Sequence, residues 1–439
     1  MAIIKDLFLR RPRTWRALLH RAVAVEPHEV GALLASFAMF FALLAAYYII
    51  RPVRDEMGVR LGKDALQNLF TTVFFVMLAA VPLFGFIASK FPRRYVLPGI
   101  YLFFSADLIV FWIVFRADAS SIVIVKTFFV WASVFNLFVI SLFWSLMAEL
   151  WSNEESKRLY GFISAGGTAG ALAGPLLTQT LITFVKPVDL LLVSSALLLA
   201  AMMASLALRN IRGGQGREET MPAGGGIFDG AVKLMSSPYL GRIAIFVFLA
   251  NLVGTFFYLE QSRLVGAAIA DSAERVRFFS ARDLIVSVCT ITIEIFGTAQ
   301  VLRRFGVTAA LAALPVCALL GMLALSIEPS LWIAGAVLIA ERVTAFALSS
   351  PAIKVMYTLT AADEKYKVQN FVDTVVYRGG DAVSGWLFKA ISGDLGFASW
   401  ATPLVSIPLV LAWFWTALKM GDSHKEKAGE TYLPPPPRR

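Results

Sequence analysis

Residues 30–51, VGALLASFAMFFALLAAYYIIR, carry no charged side chain before the arginine at their end. A helix rises 1.5 Å per residue, so about 20 apolar residues cross the roughly 30 Å hydrocarbon core of a bilayer. Apolar stretches of similar length recur along the 439 residues and predict eleven further spans. They lie near residues 66–88, 95–115, 122–149, 159–184, 188–208, 240–262, 278–302, 307–327, 331–358, 369–391 and 397–418. The sequence thus predicts an all-α polytopic membrane protein with twelve transmembrane helices.

The composition excludes an ordinary soluble domain. Hydrophobic residues make up 58% of the chain and charged residues 16%, whereas soluble proteins carry about 25% charged residues. The formal net charge is +10, and 24 lysines and arginines fall in segments predicted to face the cytoplasm, against 8 in the opposite loops. Because positive residues stay inside during membrane insertion, both termini are predicted to be cytoplasmic. This distribution explains the basic charge without a nucleic-acid partner.

One long polar segment divides the chain. Residues 209–239 include Gly213-Gly214, Pro222 and Gly224-Gly225-Gly226, and they separate six spans from six. We therefore predict two six-helix bundles, at residues 30–208 and 240–418, joined by a cytoplasmic linker. A basic cytoplasmic segment, residues 1–29, precedes the bundles, and a Pro-rich cytoplasmic tail, residues 419–439, follows them.

The two halves share landmarks at a constant offset of 210 residues. The matching pairs are Arg93-Arg94 with Arg303-Arg304, Glu154-x-x-Lys157 with Glu364-x-x-Lys367, and Tyr48 with Tyr258. Duplicated six-helix halves in one orientation are typical of the major facilitator architecture, in which solute binds between the halves near mid-membrane. The repeat therefore predicts a major-facilitator-like 6+6 arrangement.

The spans lack the residue types that many enzymes and ATP-driven pumps need. The three histidines, His20, His28 and His424, all lie in the tails. Gly62-Lys63 is followed by Asp64, so it does not form a Walker-type phosphate loop. We expect no enzyme activity, no metal and no cofactor, and transport that depends on exchange or on an ion gradient.

Charges inside the first span indicate a polar cavity. Tyr47, Arg51, Arg54 and Asp55 follow helical spacing and share one face. Charged side chains are costly inside a membrane, so they face water or each other. Two guanidinium groups on one face can bind phosphate or carboxylate oxygens through paired hydrogen bonds. Alternatively, both arginines anchor the helix end and pair with Asp55 or Glu56.

Polar residues also follow helical spacing in spans seven and eight. They are Asn251, Thr255, Tyr258 and Ser262 in span seven, and Asp283, Ser287, Thr290 and Glu294 in span eight. The serines and threonines could equally join helices through hydrogen bonds. Glu294 is predicted to face the cavity, either as a substrate contact or as a proton carrier.

Spans ten and eleven add further charges. These residues are Glu341 and Arg342 in span ten, and Asp373, Tyr377, Arg378 and Asp381 in span eleven. An Arg–Asp pair can contribute to a binding site or can simply neutralise itself. Adjacent residues point about 100° apart on a helix, so at most one of Glu341 and Arg342 points straight into a cavity.

Span five carries a run of glycines. Gly166, Gly170 and Gly174 recur every four residues and therefore lie on one helical face. Small residues in this pattern let two helix backbones approach closely. The run predicts tight packing of span five against a neighbouring span.

Several short segments resemble the ATP/ADP (nucleotide) transporter family, and more closely its free-living bacterial facilitator-type ATP:ADP antiporter homologues. The segments are Arg51-x-x-Arg54-Asp55, Leu142-Phe143-Trp144, Glu155-Ser156-Lys157-Arg158-Leu159-Tyr160 and Arg303-Arg304-Phe305-Gly306. The resemblance runs over most of residues 40–390. It implies nucleotide exchange by alternating access, with Arg54 in place of a functional lysine and Arg378 matching a family arginine. The chain departs from the family at Trp131-Ala132, where the family has an acidic residue, and at Asp381, where it has a lysine.

Three functions follow as hypotheses. The first is an antiporter of nucleotides, of the ATP/ADP type, or of a related phosphorylated anion, which binds to eight residues. They are Arg51, Arg54, Arg342, Arg378, Tyr47, Tyr48, Tyr258 and Asn251. The second is a proton-coupled major-facilitator carrier of another organic solute, in which acids serve coupling or gating. They are Asp55, Asp283, Glu294, Asp373 and Asp381.

The third hypothesis is a non-transporting membrane partner or a lipid-handling protein. Charges buried in both halves argue against it, because a structural bundle gains little from them. In the first two cases the partners are a small anionic solute, such as ATP or ADP, and the lipid bilayer. We expect a monomer in the bacterial inner membrane.

Overall fold

The computed structural model describes residues 25–90, 93–212, 227–360, 368–369, 371–391, 395 and 400–432. Among these residues every regular element is a helix. The first half forms α1 (Val30–Leu61), α2 (Lys63–Lys90), α3 (Arg93–Ala117), α4 (Ile122–Leu150), α5 (Asn153–Leu181) and α6 (Leu190–Arg212), with a 3₁₀ turn at Pro187–Asp189. Each of these six helices matches one predicted span, although α5 ends before residue 184 and α6 begins after residue 188.

The second half begins with a short helix, α7 (Ile227–Ser236), and continues with α8 (Pro238–Ala268), α9 (Ser272–Ile293) and α10 (Ala299–Ile327). It ends with α11 (Leu331–Thr344), α12 (Ser350–Tyr357), α13 (Tyr377–Lys389), α14 (Ala401–Val405) and α15 (Ile407–Tyr432). By length and composition, seven helical segments among the described residues can cross a membrane, and one of them, Ser272–Ile327, contains two predicted spans. Gly306, with φ of 80°, separates these two spans, because its left-handed backbone ends one helix and begins the next.

Three π-helical turns interrupt the second half. They are Glu294–Thr298 between α9 and α10, Ala345–Ser349 between α11 and α12, and Val372–Val376 before α13. A π-turn changes the face on which all later side chains of that helix lie, and such turns occur frequently at functional sites. Each of the three turns contains a charged residue or lies within a few residues of one.

The buried apolar side chains form two large clusters. The first joins α1 with α3, α4, α5 and α6. The second joins α8 and the later helices, and it also takes in Leu66, Leu69 and Phe70 of α2 and Phe129 of α4. α2 therefore packs across the interface between the halves. The domain boundaries predicted from the polar linker remain a prediction.

The glycine run of span five packs against α1, which confirms the predicted close helix contact. A Cβ atom on Gly166 would lie 2.5 Å from the backbone oxygen of Phe37, and one on Gly174 would lie 2.8 Å from that of Ala45. Real Cβ atoms essentially never approach other heavy atoms this closely. Any larger side chain would push the two backbones apart, so glycine sets the distance between α1 and α5.

Helices extend further than the hydropathy pattern predicts. α6 continues to Arg212 and α7 lies inside the predicted linker, while α15 continues to Tyr432 inside the predicted tail. Hydropathy reports how much of a helix lies in lipid and does not report where the helix ends. Residues 1–24 and 433–439 lie outside the described residues, and so do the predictions for the basic segment and the polyproline end.

Candidate functional site

A central cavity of about 420 Å³ lies between the two halves. Its walls come from α1, α2 and α4 on one side and from α8 and α10 to α13 on the other. Nine of the thirteen residues predicted from the sequence line it. They are Tyr47, Arg51, Arg54, Asn251, Tyr258, Arg342, Asp373, Arg378 and Asp381. The charged residues predicted from separate spans thus meet in one place.

At one end of the cavity, α1, α9 and α11 meet through a group of six charged side chains, which we call the charge cluster. It consists of Arg51, Arg54, Asp55, Arg282, Asp283 and Arg342. Asp55 accepts hydrogen bonds from Arg54 at 2.8 Å and from Arg282 at 2.8 Å. The second of these bonds links the two halves of the molecule directly.

Asp283 is the second acid of the charge cluster. Its carboxylate accepts hydrogen bonds from Arg282 at 2.8 Å and from Arg342 at 3.3 Å, and it lies 3.5 Å from Nε of Arg51. Both acidic side chains are fully buried. Four guanidinium groups therefore surround two carboxylates, which leaves an excess of positive charge at this end of the cavity.

A second polar group lies on the opposite wall of the cavity, where α8 meets α13. Asp381 accepts hydrogen bonds from Arg378 at 3.1 Å, from Asn251 at 2.8 Å and from Thr255 at 2.5 Å. Asn251 also donates to the backbone oxygen of Tyr377. This carboxylate is fully satisfied by the protein, so Arg378 offers only its remaining donors to a solute.

Aromatic rings lie beside the arginines. The guanidinium of Arg54 lies 5.2 Å from the ring centre of Phe129, and that of Arg51 lies 5.7 Å from the ring of Tyr48. The hydroxyl of Tyr258 lies 3.3 Å from Asp55. Such rings hold the guanidinium planes in place, and those that line the cavity offer flat surfaces to a solute that contains a ring.

Four of the predicted residues do not line the cavity. Asp55 and Asp283 lie behind the arginines in the charge cluster. Tyr48 lies beside α5, because its Cβ would be 2.7 Å from a Cβ placed on Gly174. The side chain of Glu294 is exposed and does not line the cavity. It begins the π-turn after α9, next to Ile295 and Phe296, which are also exposed.

The polar stripe of span eight contributes to helix packing as well. The hydroxyl of Ser287 lies 3.4 Å from the backbone oxygen of Ala171 in α5. Ser280 donates to the oxygen of Pro175 at 2.9 Å, and Gln179 donates to that of Arg277 at 2.6 Å. These bonds join α5 of the first half to α9 of the second half, beside the charge cluster.

The cavity extends away from this closed end. Its lining reaches Lys354, Tyr357 and Gln369, near the loop between spans ten and eleven. Beyond the charge cluster lies a separate pocket of about 490 Å³, lined by residues that include Arg60 and Arg263. The charge cluster therefore stands between two spaces, as expected of a gate closed on one side of the membrane.

Sequence reasoning missed two buried residues of the site. Arg282 is 1% exposed at its side chain and bonds both acids of the charge cluster. Its signal was an arginine inside an apolar span beside Asp283, at a depth where an unpaired charge is costly. Glu341 lines the cavity together with Arg342, whereas the sequence predicts solute binding by Arg342 alone of the two.

Comparisons with known proteins show the fold. No protein-family model and no curated protein matches the chain. Among solved structures, a bacterial homologue of the human lysosomal transporter Spinster, in an inward-facing and unoccupied state, is 13% identical. The alignment covers 92% of this chain and 98% of that one, with a TM-score of 0.57.

Two further structures are similar. The nucleoside transporter NupG is 13% identical, with coverage of 92% and 99% and a TM-score of 0.61. A POT family transporter in complex with a thioalcohol-conjugated peptide is 11% identical, with coverage of 90% and 96% and a TM-score of 0.62. These alignments confirm the predicted all-α fold of twelve transmembrane helices in the major facilitator arrangement. The chain is an integral membrane protein, while the resemblance to the ATP/ADP transporter family remains a prediction.

Proposed function

We propose that this protein is an alternating-access carrier of an anionic organic solute, which binds in the central cavity. The observation that carries the proposal is the charge cluster, where four arginines meet two carboxylates at the cavity end. Buried positive charge without a counter-charge is unstable in a membrane. An anion that enters the cavity supplies the missing negative charge and binds Arg51, Arg54 and Arg342.

The chemical class of the solute follows from the same residues. Guanidinium groups bind phosphate and carboxylate oxygens through paired hydrogen bonds, and Tyr47 and Phe129 line the same cavity. Nucleotides combine both features, and the resemblance to the ATP/ADP family favours them. The three structural neighbours carry other solutes or are described only as transporters. They support the broader class, a major-facilitator carrier of another organic solute, better than nucleotide antiport.

Transport by the purified protein in liposomes tests the proposal. Liposomes preloaded with unlabelled ADP are offered labelled ATP, labelled ADP or labelled adenosine, and a phosphorylated sugar and a dicarboxylate are tested in the same way. We expect at least one anion to enter faster than adenosine, which carries the same base without charge. Uptake of adenosine alone, or of none of the anions, would contradict the proposal.

The variant Arg54→Gln tests the binding role of the arginines. Losing a charge-assisted hydrogen bond costs about 1.5–3 kcal/mol, so we expect the KM for the transported anion to rise roughly 10- to 100-fold. Arg116→Gln is the matched control, because Arg116 pairs with Asp189 at 2.7 Å outside the cavity and its side chain is 51% exposed. Equal KM values for the two variants would remove Arg54 from the binding site.

A further inference from the structure

Glu341 is a buried carboxylic acid in the wall of the central cavity. It lies in α11, and the residue is 7% exposed. Its carboxyl group faces Gly254 of α8, where an added Cβ would lie 3.2 Å from Oε1 of Glu341. Because glycine has no side chain, Gly254 provides room for the carboxyl group of Glu341.

Glu341 differs from the other buried acids of the transmembrane region in having no partner among the residues that the structure describes. Within the described part of the chain, neither a hydrogen bond nor an ion pair reaches its carboxyl group. The buried acids Asp55, Asp283, Glu260 and Asp381 each pair with an arginine at 3.1 Å or less. Glu56 lies 3.8 Å from Arg60 and 3.9 Å from Arg275. An unpartnered acid among paired ones indicates a different role.

The charged and titratable groups around Glu341 do not neutralise it in this conformation. On its own helix, Arg342 donates to Asp283 of α9 at 3.3 Å. α10 contributes Cys317 and α13 contributes Tyr377, while α8 presents the uncharged Gly254. An ionised carboxylate buried without donors costs several kcal/mol, whereas the neutral acid costs far less. In this state the surroundings of Glu341 therefore favour the protonated acid.

The geometry also provides a way to release that proton. In the closed charge cluster, Arg342 shares Asp283 with Arg282 and Arg51. When the halves separate at that end, Arg282 loses Asp55 and keeps Asp283, because Arg282, Asp283 and Arg342 all lie in the second half. Arg282 can then pair fully with Asp283, so Arg342 can turn to Glu341. A guanidinium beside Glu341 favours the carboxylate, so the proton leaves to the water of the cavity.

We propose that Glu341 is the proton-binding residue of this carrier and couples proton movement to the movement of its anionic solute. The inference rests on the proposed function. It adds that a proton gradient drives transport and that Glu341 is the residue through which the gradient acts. Protons bind and dissociate at the carboxyl oxygens of Glu341, and no other bond changes.

Infrared spectroscopy tests proton binding without any knowledge of the solute. Wild-type protein in lipid is titrated with acid and base, and the C=O stretching band of a protonated carboxyl group is followed. We expect a titrating band that Glu341→Gln abolishes. Glutamine has nearly the shape of the neutral acid, so this variant should fold. Glu260→Gln is the control, because Glu260 is equally buried but paired with Arg263, and it should keep the band. A wild-type spectrum without a Glu341-dependent band would overturn the inference.

Transport under a pH gradient tests the coupling. A gradient of one pH unit corresponds to about 1.4 kcal/mol and supports about tenfold accumulation per coupled proton. With the labelled anion that the wild type exchanges, we expect this gradient to drive accumulation by the wild type and by Glu260→Gln, but not by Glu341→Gln. Accumulation by Glu341→Gln, or none by a wild type that exchanges the anion, would overturn the coupling. If no anion is exchanged, the proposed function fails, and the infrared titration still decides whether Glu341 binds a proton.

Discussion

The charge cluster contains four arginines but only two aspartates, and this imbalance determines how substitutions in the cluster change the stability of the protein. Asp283 is surrounded by Arg51, Arg282 and Arg342. Removing the acid leaves four guanidinium groups with only Asp55, whereas removing Arg282 leaves each acid with at least one arginine. Losing an anion should therefore destabilise the protein more than losing a cation.

We predict that Asp283→Asn lowers the free energy of unfolding by about 3–5 kcal/mol, the cost of an uncompensated buried charge. Arg282→Met should cost less, and the double variant should be more stable than Asp283→Asn alone. Unfolding in mixed micelles measures all three. If Arg282→Met is the more damaging single change, the cluster does not carry excess positive charge.

Single residues also show what sequence can and cannot predict about the site. Arg51, Arg54, Arg342 and Arg378 were predicted from their depth in apolar spans, because an arginine there needs a polar surrounding. The local pairs Arg54–Asp55 and Arg378–Asp381 agree with alternatives that the sequence offers. The pairing of Arg51 and Arg342 with Asp283 was not predictable, because it depends on distances between spans that are far apart in the chain. Glu341 was set aside for Arg342, although the structure lets both reach the cavity wall.

At the scale of elements, the tight contact between α1 and α5 was predictable because it follows from residue size and period alone. We predict that Gly170→Ala destabilises the protein by about 1–3 kcal/mol or more, since its methyl group meets the backbone of Phe41. Gly161→Ala in the same helix meets no atom within 4 Å and should be neutral or stabilising by up to about 1 kcal/mol. Thermal unfolding in detergent compares the two, and equal melting temperatures would contradict the packing.

The π-turns were not predictable, and one of them begins at Glu294, the last residue of the polar stripe in span eight. Helical spacing placed Glu294 on one stripe with Asp283 and Thr290. Nothing in the sequence marks where one extra residue enters a helical turn, and the turn at Glu294–Thr298 starts at this acid. Its side chain is exposed instead of facing the cavity.

At the scale of the whole molecule, the twelve-helix arrangement was predictable from span length and from the offset between halves. The conformation was not, because the same sequence must also adopt a state that opens at the other end. In the state described here, the halves are joined at the charge cluster and along α5 and α9. With the termini predicted to be cytoplasmic, this end faces outward.

We predict that the cavity and the outer pocket open to opposite sides of the membrane. Single cysteines, introduced into a variant that lacks Cys289 and Cys317, test this prediction. Ser350→Cys lies in the cavity lining and Arg60→Cys in the outer pocket. A membrane-impermeant maleimide should label Ser350→Cys in inside-out vesicles and Arg60→Cys in right-side-out vesicles. The opposite pattern would reverse the orientation of the protein, and labelling of Ser350→Cys from both sides would show that the gate is open.

The surplus of arginine in the charge cluster has an electrical consequence. Each elementary charge that crosses a membrane potential of 100 mV changes the free energy by about 2.3 kcal/mol. When the carrier binds a dianion, the charges of the four arginines, the two aspartates and the solute sum to zero. The reorientation of the loaded carrier should therefore respond little to voltage. The unloaded carrier keeps its uncompensated guanidinium groups, so voltage should act mainly on its return step.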